Sequence, residues 1–417
     1  MIHLKDDAMY AGRYFRTFYR WLLVATTVGA ISGLVGSAFH LTVDLVTGVR
    51  TNNSWLIYLM PLGGILIAAI YRLTKMEGEG TNNVIESIYK GEKVPTLLIP
   101  VIFVSTAITH LVGGSAGREG AALQIGGGIG SKIGRFLGLD EKDMPIVTLC
   151  GMSAVFSALF GTPLTATIFA LEVISVGILH YSAFIPCLVA SMVAYAISRL
   201  LGIAPTQFAV TMEPLDVLMI LRVVILAVIC AVVSIVFCVA VHKTEELASE
   251  KLKNSFLRAA VGGAVIVALT LLVGSRAYNG AGTDIIASAL NDGVCPNWAF
   301  FWKIVFTVVT IGCGFKGGEI VPTFFIGATL GCVVGPALDL PASFAAAIAL
   351  VAVFCGAVNC PIASIILSVE MFGSSEIIYF ALACGISYML SGYFGLYSSQ
   401  KIIYSKTRAE FINRYAK

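Results

Sequence analysis

Apolar runs separated by short polar or glycine-rich breaks repeat along the whole chain, at 21–46, 55–71, 94–112, 146–178, 183–201, 217–241, 257–273, 298–313 and 344–372. Most are long enough to cross hydrocarbon as helices, which takes roughly 20 residues. None shows the short alternating segments of a spanning β-barrel, so the pattern predicts an all-α integral membrane bundle. Gly and Pro inside several runs predict helices that break partway.

Composition agrees: 58% of the 417 residues are hydrophobic, 12% are charged and mean hydropathy is +0.89. A water-soluble domain needs more polar surface than this. The net charge of +3 is small and dispersed, which excludes a nucleic-acid partner. Its placement is more informative. Lys5, Arg13, Arg16 and Arg20 precede the first run, and Lys401, Lys406, Arg408, Arg414 and Lys417 follow the last. Positive flanks stay in the cytoplasm, so both ends are placed there. Residues 1–20 read as a cytoplasmic segment entering an uncleaved first helix, and 398–417 as a short basic tail.

Between these ends the chain repeats itself. Gly78, Gly80 and Thr81 recur as Gly280, Gly282 and Thr283, an offset of 202. Gly117, Ile125, Gly126 and Gly130 recur as Gly318, Ile326, Gly327 and Gly331, an offset of 201. Pro163 and Glu172 recur as Pro361 and Glu370, an offset of 198. Three ordered matches at nearly one spacing identify an internal duplication, with repeats at 21–241 and 256–397 and a charged linker at 242–255. An odd number of crossings per half would invert the copies, an architecture in which half-helices aim their N-termini at a substrate near the midplane.

A glycine-rich helix start leaves backbone N–H groups unpaired at the positive end of the helix dipole, which attracts anions. Two such starts can hold an anion without a fixed charge. Close helix packing explains any single glycine as well, but the paired set favours the anion reading. An ionisable residue in hydrocarbon is a functional candidate by default, and Glu119 lies inside the first start. Its carboxylate can occupy the anion position when charged and leave it when protonated, unless it pairs with Arg118. Glu319 falls opposite Arg118 in the repeat and reads as a proton relay or as a partner of Lys316. Glu172 and Glu370 read as structural hydrogen-bonding groups at helix ends. The cysteines and histidines lack ligand spacing, so no metal and no cofactor is expected. An enzyme using Glu119 and Glu319 as acid and base would need a nucleophile or metal motif, and GxSxG and HExxH are missing.

These residues resemble the CLC family of anion channels and proton-coupled anion transporters. GREG followed by QIGG (Gly117–Gly127) carries the resemblance, and GEIVP (Gly318–Pro322) is similar to the fluoride-exporting branch. The resemblance implies a CLC-type bundle of tilted, broken helices in two inverted repeats. It implies a homodimer in the bacterial plasma membrane that exports fluoride in exchange for protons, the alternative being a chloride channel or chloride/proton exchanger. By the same resemblance Glu119 is the gating glutamate, Glu319 the additional glutamate of the fluoride branch and Tyr397 the inner anion-coordinating tyrosine. The amides of Arg118, Glu119, Gly120, Ile320 and Val321 would line the anion path. Ala121 replaces the usual proline after GREG, and Val173 stands where chloride exchangers carry an internal proton glutamate. The chloride-selective GSGIP motif is missing, with Glu79 at its serine if both glycines are kept and Thr81 if the match shifts toward the helix.

Overall fold

The computed structural model describes the backbone of residues 2–417 and the side chains from residue 12 onward. Met1 and the side chain of Lys5, part of the basic N-terminal segment, lie outside the described residues. The first half comprises α1 (Ile2–Asn52), α2 (Met60–Leu73), α3 (Thr81–Lys90), α4 (Leu98–Val112), α5 (Glu119–Phe136), α6 (Asp143–Phe160), α7 (Pro163–Glu172) and α8 (Phe184–Leu200). Eight further helices answer them in order: α9 (Val217–Lys251), α10 (Ser255–Val273), α11 (Thr283–Asn291), α12 (Ala299–Gly312), α13 (Ile320–Val334), α14 (Ala342–Val358), α15 (Pro361–Phe372) and α16 (Ile377–Leu390). Among the described residues, six helical spans are long and apolar enough to cross a bilayer, while α4, α7 and α12–α16 are shorter apolar helices.

The apolar runs 146–178 and 344–372 each split where a proline blocks the helix. Pro163 and Pro361 sit at the first helical position of α7 and α15, where a missing N–H costs nothing. The charged stretch 242–255 is helical to Lys251, then breaks for three residues before α10. The basic segment after Tyr397 is not an extended tail. It folds into β2 (Lys401–Tyr404) and β3 (Phe411–Tyr415), and β2 also pairs in parallel with β1 (Ser175–Val176), just beyond the end of α7.

Hydrogen bonds between repeat equivalents fix the relation between the halves. Glu172, ending α7, accepts from the amides of Ile362 and Ala363 at the start of α15 (3.2 and 2.8 Å). Glu370 on α15 accepts from Leu164 and Thr165 at the start of α7 (3.0 and 2.8 Å). Each helix thus has its open N-terminus closed by a carboxylate near the end of its mate, which makes the pair antiparallel and the copies inverted. Ser115 N–H donates to Thr310 Oγ1 (3.1 Å) and its equivalent, Lys316 N–H, to Thr109 Oγ1 (3.2 Å). The structural reading of Glu172 and Glu370 matches this geometry.

A hydrogen bond to a charged group contributes about 1.5–3 kcal/mol, and Glu172 is 7% exposed. Glu172→Ala is therefore expected to destabilise the bundle by about 3 kcal/mol. The check is the thermal midpoint of monodispersity in detergent, and an unchanged midpoint would reduce this cap to decoration.

Four of the matched glycines serve packing. A Cβ at Gly126 or Gly130 would strike the carbonyls of Gly151 or Val147 on α6, and one at Gly327 or Gly331 the carbonyls of Ala349 or Ala345 on α14. Spaced by four, they let α5 and α13 lie backbone to backbone on their neighbours. For these four positions the packing reading replaces the anion reading.

Candidate functional site

The N-termini of α5 and α13 meet at the centre of the bundle. Gly117 and Gly318 exchange hydrogen bonds, Gly117 N–H to Gly318 O at 2.7 Å and Gly318 N–H to Gly117 O at 2.8 Å. A contact between equivalent residues places the internal two-fold axis between them. At Gly318 only glycine permits it, since a Cβ there would stand 2.6 Å from the amides of Glu119 and Gly120, while one at Gly117 would displace the Glu119 carboxylate.

Glu119 is the first residue of α5 and fully buried. Its Oε2 accepts from Val321 N–H in the first turn of α13 (3.2 Å), while Oε1 has no partner. One carboxylate oxygen therefore stands in for an anion at the opposing helix start. Arg118 does not pair with it. The guanidinium turns away to Asp44 on α1 (2.9 Å), which also contacts His40 (2.9 Å). Ile320 opens α13 and is fully buried.

Two cavities flank this junction. One, of about 110 Å³, is lined by Glu119, Arg118, His110, Asp44, Thr283 and Val321. A second, of about 310 Å³, is lined by Glu319, Tyr397, Thr81, Glu79, Gln124 and Lys316. Asp44 lies about 36 Å along α1 from Arg20 at a rise of 1.5 Å per residue, so the first cavity opens at the far end of this helix. Tyr397 adjoins the C-terminal hairpin, and the second cavity opens on that side. With the chain ends assigned to the cytoplasm by their charge, these become the outer and inner cavities.

On the inner side several polar atoms have open valences. Tyr397 is 2% exposed and its hydroxyl has no partner, nor have Glu319 Oε2 and Gln124 Oε1. Such orphans cost about 1–3 kcal/mol each unless water or an ion meets them. Lys316 does not pair with Glu319; its ammonium lies 4.4 Å from the centre of the Tyr71 ring. Tyr397 is held by the tail, where Leu396 N–H donates to Ala357 O and Gln400 bonds to Asn359 and Val358 at the turn between α14 and α15.

Of the two candidates beside α3, Thr81 reaches the junction. Its hydroxyl donates to Gly120 O (3.3 Å) and accepts from Gln124 Nε2 (3.1 Å), so its proton is already engaged. Glu79 lies half-buried at the cavity wall, with its amide bonded to Met76 O. Sequence reasoning missed Thr109 and Thr310, whose shared repeat position at an offset of 201 was the available signal. It also missed His110, whose Nε2 lies 3.2 Å from Gly117 O and supports the bridge as an N–H donor.

Residues 63–392 match the family described as voltage gated chloride channel. In sequence the chain is similar to the chloride/fluoride channel protein of Pseudomonas syringae pv. tomato, 35% identical over 396 residues, spanning 93% of this chain and 87% of the relative. In structure it is similar to a CLC-type fluoride/proton antiporter, with a TM-score of 0.89 and 30% identity, covering 92% of this chain and 98% of the other. A slow cyanobacterial Cl-/H+ antiporter shares the fold at a TM-score of 0.75 and 19% identity, over 89% of this chain and 94% of that one.

Proposed function

We propose, from the premise that the chain belongs to the voltage gated chloride channel family, that it is a secondary active antiporter exporting fluoride in exchange for protons. The observation that carries this reading is the Glu119 carboxylate lying across the junction onto the amide of Val321, between two cavities. Charged, it fills the place of the anion. Protonated, it loses its attraction to the N–H groups and yields that place, so a proton arriving from outside and a fluoride arriving from inside compete for one position. Fluoride is small, strongly hydrated and an avid acceptor, and the amides at the starts of α5 and α13 together with the Tyr397 hydroxyl offer donors in place of its water.

Glu319 is the second proton station in this reading. It lines the inner cavity at the start of α13, with an unpartnered oxygen and no ion pair among the described residues. Val173, in place of an internal glutamate, makes Glu319 the leading candidate on that side. Fluoride is favoured over chloride by the GEIVP motif and by the likeness to a fluoride/proton antiporter. In keeping with the family resemblance, the protein is read as a homodimer in the bacterial plasma membrane, each subunit with its own path. It is a transporter and not an enzyme.

Purified protein in liposomes tests the reading with a fluoride electrode, chloride as the comparison and an imposed proton gradient. Fluoride is expected to leave faster than chloride and to be driven uphill by protons. Equal rates would sink the specificity, and flux indifferent to the gradient would leave a channel. Glu319→Gln is expected to slow proton movement about a hundredfold or more, within the range for a general acid or base. Intact coupling in that variant would reduce Glu319 to a structural residue.

A further inference from the structure

The two halves share a backbone plan but not a charge plan. At the offset of 201 that relates Gly117 to Gly318, the equivalents of Lys303, His110 and Arg118 are Ile102, Ile311 and Glu319. Ile102, Ile311 and Glu319 line the inner cavity, and His110 and Arg118 line the outer one. Lys303 is 0% exposed. Its ammonium donates to Gly280 O (2.6 Å) and approaches Tyr278 O (3.4 Å), and it lies 4.9 Å from the centre of the Phe325 ring. Carbonyls and a ring face are the surroundings of a cation, yet no carboxylate pairs with it among the described residues.

Arg50, at the end of α1, reaches the same point. Its guanidinium nitrogens lie 2.6 and 2.7 Å from where a Cβ of Gly280 would stand, and Gly280 N–H donates to Gly114 O (3.0 Å). Gly280 has φ +66°, the left-handed region, and its first-half equivalent Gly78 has no atom near its own Cβ position. Lys303 therefore holds, and Arg50 lies against, a loop whose next residues, Ala281 and Thr283, line the outer cavity with Glu119. The ammonium also lies 3.6 Å from the Cβ position of Gly282, between them. Asp284 opposes this charge, but it is exposed and its field is screened by water. Asp44 is engaged by Arg118 and His40.

We propose that Lys303 and Arg50, converging on Gly280, are affinity-determining residues for the transported anion: two basic side chains behind the loop that lines the outer cavity. They touch no anion themselves. Their field acts in part through the buried Gly280 backbone, where a unit charge is felt over longer distances than in water. The proposal rests on the fluoride reading and adds to it the charges that favour fluoride as it passes Glu119.

The test is fluoride titration calorimetry on purified protein, together with KM and kcat from liposome efflux. Lys303→Gln keeps a donor for Gly280 O but removes the charge. Its Kd and KM are expected to rise about tenfold, equivalent to about 1.4 kcal/mol, with kcat within about twofold. Lys303→Arg is expected to stay within about twofold of wild type throughout. Wild-type Kd in Lys303→Gln overturns the proposal, as does equal loss in both variants, which would mark a packing role. If either variant loses its monodisperse peak, Arg50→Gln and Arg50→Lys decide by the same comparison. A wild-type protein that binds no fluoride overturns the functional reading and this proposal with it, whereas intact wild-type exchange with unaltered variants overturns the proposal alone.

Discussion

Glu119→Gln is expected to abolish proton-driven fluoride accumulation, with coupled flux falling at least about a hundredfold, the size of effect that follows loss of a positioned acid or base. The amide resembles the protonated acid in shape, and it can neither release a proton nor carry the charge that seats Oε2 on Val321 N–H. Competition between proton and anion ends, because the neutral side chain no longer holds the anion position. Passive fluoride movement down its own gradient is expected to persist. The check is uphill fluoride transport under an imposed proton gradient beside passive efflux. Wild-type accumulation in the variant would remove Glu119 from the coupling step.

Gly318→Ala is expected to be nearly as severe, although it changes no ionisable group. Its Cβ would stand 2.6 Å from the amide nitrogens of Glu119 and Gly120 and 2.8 Å from Glu119 Oε2. These neighbours are backbone or buried carboxylate, so the helix starts must part. A displacement of about 1 Å at a reacting centre costs about a hundredfold, and fluoride flux is expected to fall by that factor while the protein stays monodisperse. Gly385→Ala is the control, since nothing lies within 4 Å of its added carbon. Wild-type flux in Gly318→Ala would mean that the Gly117 and Gly318 contact is incidental to transport.

How far the sequence foretold this arrangement depends on the chemistry of each residue. The duplication was legible because Gly, Pro and Glu recur in order, and Glu119 stood out because a carboxylate in an apolar run has few structural uses. The division of labour among glycines was not legible. Backbone approach to an anion and backbone approach to a neighbouring helix both demand a missing Cβ, and only the partner atom separates Gly117 from Gly126 or Gly130. Likewise Thr81 and Glu79 differ in which way α3 begins, a matter of local geometry that the repeat alignment obscured. Lys303 was not legible as a candidate, because its significance lies in the Gly280 and Tyr278 carbonyls that surround it, and these come from a loop more than 20 residues earlier. The C-terminal hairpin was hidden because Lys and Arg recur through 401–417, while the apolar content of β2 becomes meaningful only against β1, more than 200 residues earlier.

The exchange of hydrogen bonds between Gly117 and Gly318 also bears on descent. A contact in which a residue meets its own equivalent is self-complementary, the kind that two identical subunits make across a two-fold axis. An unfused ancestor half this long would have formed the same bridge with a second copy of itself, inserted upside down in the same bilayer. Fusion would then have released the copies from identity. Arg118 and Glu319, and likewise Lys303 and Ile102, are substitutions that a symmetric pair of chains could not have kept on one side of the membrane alone.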